Sequence, residues 1–437
     1  MTVALAILVV MAVVAQLLLP RTWATVPILA TASFVPIDAA VEVGPFSFYV
    51  LRLVLLAAFV RVFFSSDKLT GRLNALDWLV AAWSAVALLS SLFADDTSAT
   101  LVNRLGLVYT NTGIYLVLRV FCQSGEDVLR LCRITVALLI PVAASMVYEK
   151  TTGLNLYSLI GDSSPWAELR DGVVRARGPF AHAILAGSIG AAFLPLAAAL
   201  WSSRRRLALA GMAAGLVMVY ASASTGPVMS MAFAIAAIGL WRWRHWTRFL
   251  RWSAVVGYIL LDIVMNAPAY HLLTRIDLTG SSTSWHRAAL IDTAIAHWSE
   301  WWLAGTSYTR HWLPYGVPWS GDQVDITNYY LRMGVDGGLP LMLLFIAVLA
   351  KAFQFVGQTV RRSEAAASLS PFVAWALGAS LFAHAMSFMS VSYFDQSVVF
   401  LYLALATIGA VYAREDRNPA VHGIAGMHGD PAWARQR

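Results

Sequence analysis

Three arginines lie close together at the first point of this sequence where the residue types suggest a definite chemistry. Arg170, Arg175 and Arg177 occur within eight residues, and Gly178-Pro179 follows them directly. Arginine holds phosphate through bidentate, charge-assisted hydrogen bonds, and a helix N-terminus adds a favourable dipole for an anion. Snorkelling towards lipid headgroups is the alternative interpretation. The first interpretation makes Arg175 and Arg177 candidate phosphate ligands.

His182 follows this arginine-rich turn, just inside an apolar run. An ionisable group at the beginning of a membrane span is a candidate for function. The simpler interpretation is a polar contact between helices. His182 is therefore considered both as a general base and as a structural residue.

A second group begins after the helix-capping run Ser281-Ser-Thr-Ser284, with Trp285-His286-Arg287. The spacing predicts a helix to about Trp302, with His286 among the side chains of its polar face. The other members of that face are Thr293, His297 and Glu300. Arg287 is a further anion-binding candidate or the partner of a nearby acid, and His286 is a further candidate base.

Asp325 belongs to a third group, which leads through Asn328 to the pair Gly337-Gly338. Polar residues at the start of an apolar run are costly against lipid and should face a cavity. Asp325 is a general-base candidate or a helix cap. The tryptophans of the same region could stack on sugar rings or form an interfacial belt. They are Trp285, Trp298, Trp301, Trp302, Trp312 and Trp319.

Several chemistries are not indicated. The sequence has no G-x-x-x-x-G-K-[ST], no G-x-G-x-x-G and no D-x-D run, so nucleotide-driven reactions are not expected. Two cysteines, Cys122 and Cys132, can form neither a disulfide framework nor a zinc cluster. We predict no metal and no cofactor.

The composition indicates the elements that must position these residues. Of 437 residues, 59% are hydrophobic and only 13% are charged, with a mean hydropathy of +0.66. A soluble domain carries about 25% charged residues. The sequence therefore predicts an all-α, polytopic transmembrane helix bundle that forms a single integral membrane domain over residues 1–437.

Apolar runs mark thirteen candidate spans. The second contains Pro27 and Pro36, so twelve or thirteen spans are predicted. The candidates are 3–19, 23–40, 46–64, 76–93, 101–121, 128–147, 180–201, 206–221, 226–241, 249–265, 334–356, 371–390 and 396–413.

Basic residues cluster in alternate loops, as expected for cytoplasmic segments. The clusters are Arg61/Lys68/Arg72, Arg119/Arg130/Arg133, Arg204/Arg205/Arg206, Arg242/Arg244/Arg248/Arg251, Lys351/Arg361/Arg362 and Arg414/Arg417. The net charge of +7 is thus attributed to topology rather than to nucleic-acid binding. A cytoplasmic tail is predicted at 414–437, and two larger outer loops at 148–179 and 266–333, the second of them helical.

The order of these motifs resembles the O-antigen ligase and O-antigen polymerase superfamily over about residues 140–360. The matching pieces are Arg177-Gly-Pro-Phe180, Ser224-Thr-Gly-Pro227, Ser284-x-x-Arg287 with Gly305, Asn328-Tyr-Tyr-Leu331 with Gly334, and Gly337-Gly-Leu339. The family often carries a histidine directly before the asparagine, where this chain has Thr327. That difference favours a polymerase or an exopolysaccharide enzyme over a ligase.

The resemblance implies a glycosyltransferase of the bacterial inner membrane, active on the periplasmic face. Such enzymes move a glycan from a polyprenyl-pyrophosphate carrier to a glycan or lipid acceptor among the membrane lipids. Arg177 and Arg287 match the arginines proposed to hold the donor pyrophosphate, and Asp325, His182 or His286 would supply the base. The alternative is a transporter or flippase of an anionic or lipid-linked substrate. No internal repeat supports that alternative.

Overall fold

The computed structural model describes residues 3–415, apart from 38, 44–45, 66, 68, 70–71, 162–163, 276–283, 367–368 and 395. The capping run at 281–283 and residues 416–437 of the predicted tail lie outside the described residues. The described part is mainly helical, which confirms the helical component of the prediction.

The α-helices of this part follow one another along the whole chain. They are α1 Val3–Leu18, α2 Val26–Phe34, α3 Val50–Phe64, α4 Ala75–Leu89, α5 Thr97–Phe121, α6 Gly125–Thr152, α7 Ala183–Ala198, α8 Arg205–Ser222, α9 Thr225–Gly239, α10 Thr247–Val264, α11 Ser284–Ala296, α12 Trp298–Trp301, α13 Tyr329–Ala366, α14 Pro371–Ser387 and α15 Ser397–Glu415. Short 3₁₀ helices are Arg21–Trp23, Ser90–Phe93, Leu156–Leu159, Leu240–Trp246, Ala269–Arg275 and Arg310–Trp312.

Each candidate span contains a helix, and most helix ends lie within a few residues of the predicted ends. Four segments of the described chain are long and apolar enough to cross a membrane. They are Ala75–Phe93, Gly125–Thr152, Tyr329–Glu364 and Ser397–Arg414. In the proline-containing run 23–40, by contrast, α2 has nine residues, or about 14 Å at 1.5 Å per residue. That is shorter than a bilayer core of about 30 Å.

Two antiparallel hairpins add strands that the all-helical prediction omitted. β1 Ala40–Val43 pairs with β2 Phe46–Tyr49, and β3 Glu168–Arg170 pairs with β4 Val173–Arg175. Asp171 and Gly172, which join β3 to β4, both have positive φ. An Asp-Gly pair with two positive φ angles favours a two-residue hairpin turn. The arginine-rich segment is therefore folded back on itself rather than extended.

Helix α7 lies at the centre of the bundle. All of its residues except Ile184 are buried, and it packs against α8, α9 and α14. Small residues permit this close packing: a Cβ added to Gly190 would lie 3.0 Å from the Gly215 carbonyl oxygen of α8. Small residues at such contacts are typical of helices that pack tightly in membranes.

Helix α13 is interrupted at the paired glycines. Gly338 has φ +76° and ψ −179°, a conformation open essentially to glycine alone. The residue four positions after Asp336 is Pro340, which has no N–H to donate, and Arg104 Nη2 of α5 donates instead to the Asp336 carbonyl oxygen at 2.5 Å. A second, smaller core lies beside the first part of α13. It consists of Leu290, Ala294, Trp301, Trp312, Val324, Ile326, Leu331 and Val335.

Candidate functional site

A cavity of about 300 Å³ brings together residues that are far apart in the chain. His182 and Asp325, two of the predicted catalytic residues, both line it. Arg52 of α3 and Arg332 and Asp336 of α13 complete the charged part of its wall. Pockets lined mainly by apolar residues with a few convergent polar groups are the usual form of a small-molecule site.

The turn before His182 is held by three buried hydrogen bonds. Gly178, at φ +57°, donates its backbone N–H to Glu149 Oε2 at 2.8 Å. Asn155 Nδ2 donates to the Gly178 carbonyl at 2.8 Å, and Gln396 Nε2 donates to the Pro179 carbonyl at 2.6 Å. Because both carbonyls are satisfied by side chains, the turn sets the position of His182 on the cavity wall.

His182 also caps helix α7, and this decides its protonation pattern. Its Nδ1 accepts a hydrogen bond from the Ile184 N–H at 3.3 Å. A neutral imidazole that accepts at Nδ1 carries its proton on Nε2, which lies 3.8 Å from Glu168 Oε2. His182 is thus arranged as a proton donor rather than as an acceptor.

The arginines of the hairpin lie close enough to His182 to act on its charge. Arg175, Arg177 and Arg170 act electrostatically on His182, as does the opposing charge of Glu168. Burial lowers the pKa of Arg287, to which Arg170 also contributes. A positive region therefore extends from His182 past the hairpin to α11.

Arg175 is the most constrained of these arginines. Its side chain is 4% exposed, forms an ion pair with Glu168, and donates from Nη2 to Ser224 Oγ at 2.8 Å. Ser224 begins the turn that leads into α9, so Arg175 joins the hairpin to the bundle. It does not line the cavity, and its contacts are those of a structural residue.

Arg177 and Arg287 both lie outside the cavity lining. Arg177 Nη2 donates to the Ser164 carbonyl at 3.0 Å, and the residue is half-buried. The Nε of Arg287 is buried and has no hydrogen-bond partner among the described residues. Neither Asp292 nor Glu300 forms an ion pair with Arg287 in the described part of the chain.

Asp325 has the features of a proton acceptor. Burial raises the pKa of its carboxyl, an effect that His286 and Arg332 partly oppose. Its carboxylate accepts no hydrogen bond from any residue that the structure describes, whereas its backbone N–H is held by the Val317 carbonyl at 2.8 Å. The backbone is therefore fixed while the carboxylate remains available.

His286 forms a hydrogen bond with the backbone of Asp325. Its Nε2 lies 3.1 Å from the Asp325 carbonyl oxygen, and a carbonyl can only accept, so Nε2 carries the proton. The side chain is buried and does not line the cavity. Of the three predicted bases, the structure brings two to the cavity and places His286 behind its wall.

Two cavity arginines were absent from the predicted site. Arg52 Nε donates to Thr110 Oγ1 at 3.4 Å and its guanidinium lies 5.0 Å from the Tyr49 ring. Arg332 lies 3.1 Å from Asp336, which Arg104 also contacts at 3.2 Å. An arginine near the start of an apolar run is itself a signal of function, and it would have identified Arg52.

The wall also contains Thr327, which directly precedes Asn328. Thr327 lines the cavity, and its Oγ1 is buried without a hydrogen-bond partner among the described residues. Trp319 is the one predicted sugar-stacking tryptophan in the lining. Trp301 and Trp312 are instead buried in the smaller core.

Comparison with known proteins adds no relative. No family model matches the chain, and no curated protein matches it significantly.

Proposed function

We propose that this protein is a membrane glycosyltransferase that transfers a glycan from a polyprenyl-pyrophosphate donor to a glycan or lipid acceptor. The observation that carries the proposal is the cavity itself. His182 and Asp325, chosen from separate parts of the sequence, line the same cavity wall together with Arg52 and Arg332. An anion and a hydroxyl nucleophile are the reactants that such a set can bind.

Asp325 acts as the general base in this proposal. The acceptor hydroxyl oxygen attacks the anomeric carbon, its proton passes to the Asp325 carboxylate, and the bond between sugar and pyrophosphate breaks. The electron pair of that bond leaves with the pyrophosphate. A carboxyl with a raised pKa is a stronger base, and positioned general bases contribute about 10²–10⁴-fold to rate. His182 is less suited because its Nδ1 already accepts a hydrogen bond.

The arginines stabilise the departing pyrophosphate. Arg52 and Arg332 contact the cavity directly, while Arg177 and Arg287 belong to the positive region beside it. Preorganised cations aimed at developing negative charge lower a barrier without reorganisation. Pyrophosphate is a good leaving group, so this arrangement needs no strong general acid.

The proposed setting is the bacterial inner membrane. The four long apolar segments and the shorter apolar helices would form a polytopic bundle with the cavity near the periplasmic side. In this topology 148–179 and 266–333 are periplasmic and the tail after Arg414 is cytoplasmic. We propose a polymerase of surface polysaccharide rather than a ligase. The reason is that Thr327 stands directly before Asn328, where the resembled superfamily often has a histidine.

Surface glycan provides the test in cells. Cells that lack the native gene are supplied with the wild-type chain, Arg52→Gln, Arg332→Gln or the control Arg361→Gln. Arg361 is exposed and does not line the cavity. We expect long glycan chains with wild type and control, and at least a tenfold loss with the cavity variants at equal protein level. Normal chain length in both cavity variants contradicts the proposal.

The same cells separate transfer from transport. Loss of a polymerase leaves single-repeat, lipid-linked glycan on the periplasmic face, where an added glycosidase can cleave it. Loss of a flippase leaves that lipid on the cytoplasmic face, protected until the membrane is opened. If the lipid-linked glycan in the cavity variants is protected from the glycosidase, the protein is a transporter rather than a glycosyltransferase.

A further inference from the structure

Three side chains with metal-ligating atoms meet outside the cavity. His297, Glu300 and His311 each offer one nitrogen or oxygen atom, and these atoms lie within 4.8 Å of one another. None of the three residues lines the cavity. The group therefore has no part in the proposed transfer reaction.

A break between two helices creates this group. His297 has φ −100° and ψ 27°, so α11 ends before it and α12 begins after it. Glu300 follows on α12, and the 3₁₀ helix Arg310–Trp312 brings His311 back to both. Nitrogen, nitrogen and carboxylate oxygen form a set that zinc uses in sites with three protein ligands and one water.

The distances between the ligand atoms of His311 and Glu300 suit a zinc ion. His311 Nε2 lies 3.0 Å from Glu300 Oε2 and 3.2 Å from Glu300 Oε1. Two ligands at about 2.0–2.1 Å from a tetrahedral zinc ion lie about 3.3 Å from each other. A small adjustment of the side chains therefore converts the present contact between His311 and Glu300 into one edge of a coordination shell.

Neighbouring groups already orient two of the ligands. His297 Nδ1 donates to the Thr293 carbonyl at 2.8 Å, which leaves the Nε2 lone pair for a metal. Trp312 Nε1 donates to Glu300 Oε2 at 2.8 Å. Hydrogen bonds of this kind, from a histidine ligand to a carbonyl or from an indole N–H to a carboxylate ligand, fix ligand direction and raise metal affinity.

Aromatic rings hold both imidazoles in place. The Trp312 ring stacks on His297 with centroids 5.6 Å apart and planes at 16°, and the Tyr308 ring stacks on His311 at 4.9 Å and 10°. His311 and Glu300 remain 36% and 35% exposed. The site is thus rigid on its protein side and open to ions from solution.

We propose that His297, Glu300 and His311 bind one divalent transition-metal ion of the zinc class, with water as the fourth ligand. The ion joins α11 and α12 to the 3₁₀ helix and stabilises the smaller core, to which Trp312 belongs. This proposal is independent of the proposed function.

The test uses the full-length protein in detergent, purified without a polyhistidine tag and stripped with a chelator. Zn²⁺ is titrated by calorimetry, and Co²⁺ serves as a spectroscopic probe because its visible absorption reports tetrahedral coordination. We expect one equivalent per chain, a higher melting temperature with Zn²⁺, and at least a hundredfold weaker binding in His297→Ala and His311→Ala.

Glu300→Gln and a matched histidine complete the design. The glutamine keeps an acceptor for Trp312 and preserves folding while removing the charged ligand, so zinc binding should weaken at least tenfold. His271→Ala removes another histidine paired with an acid, Asp292 at 3.1 Å, and should bind zinc like wild type. Equal zinc binding by wild type, His311→Ala and Glu300→Gln, or no binding by wild type, overturns the proposal.

Discussion

At the scale of a single residue, the proposed reaction depends on Asp325 as the general base. Burial raises the pKa of its carboxyl above that of an ordinary aspartate, about 3.9 in model peptides. A general base must be ionised, so transfer should fall as pH falls through the raised pKa. The decline therefore begins at a higher pH than an exposed aspartate would give.

Asp325→Asn should lower the transfer rate by about 10²–10⁴-fold. The remaining rate should no longer depend on the ionisation of this group. Folding should survive, because asparagine removes a partly buried charge and adds no bulk. The measurement is the initial rate against pH, with melting temperature as the check on folding.

Asp322→Asn provides the matched control. Asp322 is exposed, lies three residues away and does not line the cavity, so its variant should keep the rate and pH profile of wild type. Equal rates for Asp325→Asn and Asp322→Asn would remove Asp325 from the mechanism.

Residue types alone identified part of the site. The sequence selected Asp325 and His182, which both line the cavity, and it selected Arg175 and His286, which are buried and do not line it. Burial depends on packing between distant segments, which spacing along one helix does not report. His311 illustrates the same limit, because it meets His297 only after the chain turns back.

At the scale of elements, the break in α13 determines where the cavity wall ends. A Cβ on Gly338 would lie 2.7 Å from the Ala304 backbone nitrogen, and φ is +76°. The sequence predicted a span from 334 and paired glycines at its mouth. The helix instead begins at Tyr329 and is interrupted at those glycines, because the loop backbone around Leu303 and Ala304 packs against them.

Gly338→Ala should therefore destabilise the protein by at least about 1–3 kcal/mol, the cost of a strained backbone conformation. Gly357→Ala in the same helix is the control. Its nearest neighbour would be Arg361 at 4.0 Å, so that variant should melt at or above the wild-type temperature. Thermal unfolding in detergent measures both, and equal melting of the two variants would contradict the role of the break.

At the scale of the whole molecule, the proposed function depends on which side of the membrane the cavity faces. The native Cys122 and Cys132 are buried, so they give a low background for labelling. Tyr315→Cys, at a fully exposed position in segment 266–333, should react with an impermeant maleimide in intact spheroplasts. Ser202→Cys, exposed beside a basic cluster, should react only after the membrane is opened.

This labelling pattern follows from the alternate placement of basic loops. The reverse pattern would put the cavity on the cytoplasmic side and would exclude a periplasmic donor. The helices themselves could be predicted well from apolar runs, since length and hydropathy are local properties. The hairpin β3–β4 could also have been predicted from the turn pair Asp171-Gly172. That signal is only two residues long, whereas an apolar helix repeats its pattern over many residues.

The most direct test is transfer by the purified protein. Wild type, Asp325→Asn and Arg332→Gln are incubated in detergent with a polyprenyl-pyrophosphate-linked repeat, and product length is followed by gel and mass spectrometry. We expect lengthened lipid-linked glycan and released polyprenyl pyrophosphate with wild type, and losses of at least a hundredfold with Asp325→Asn and at least tenfold with Arg332→Gln. No product from folded wild-type protein with any glycan or lipid acceptor, or equal product from all three chains, would contradict the proposed function.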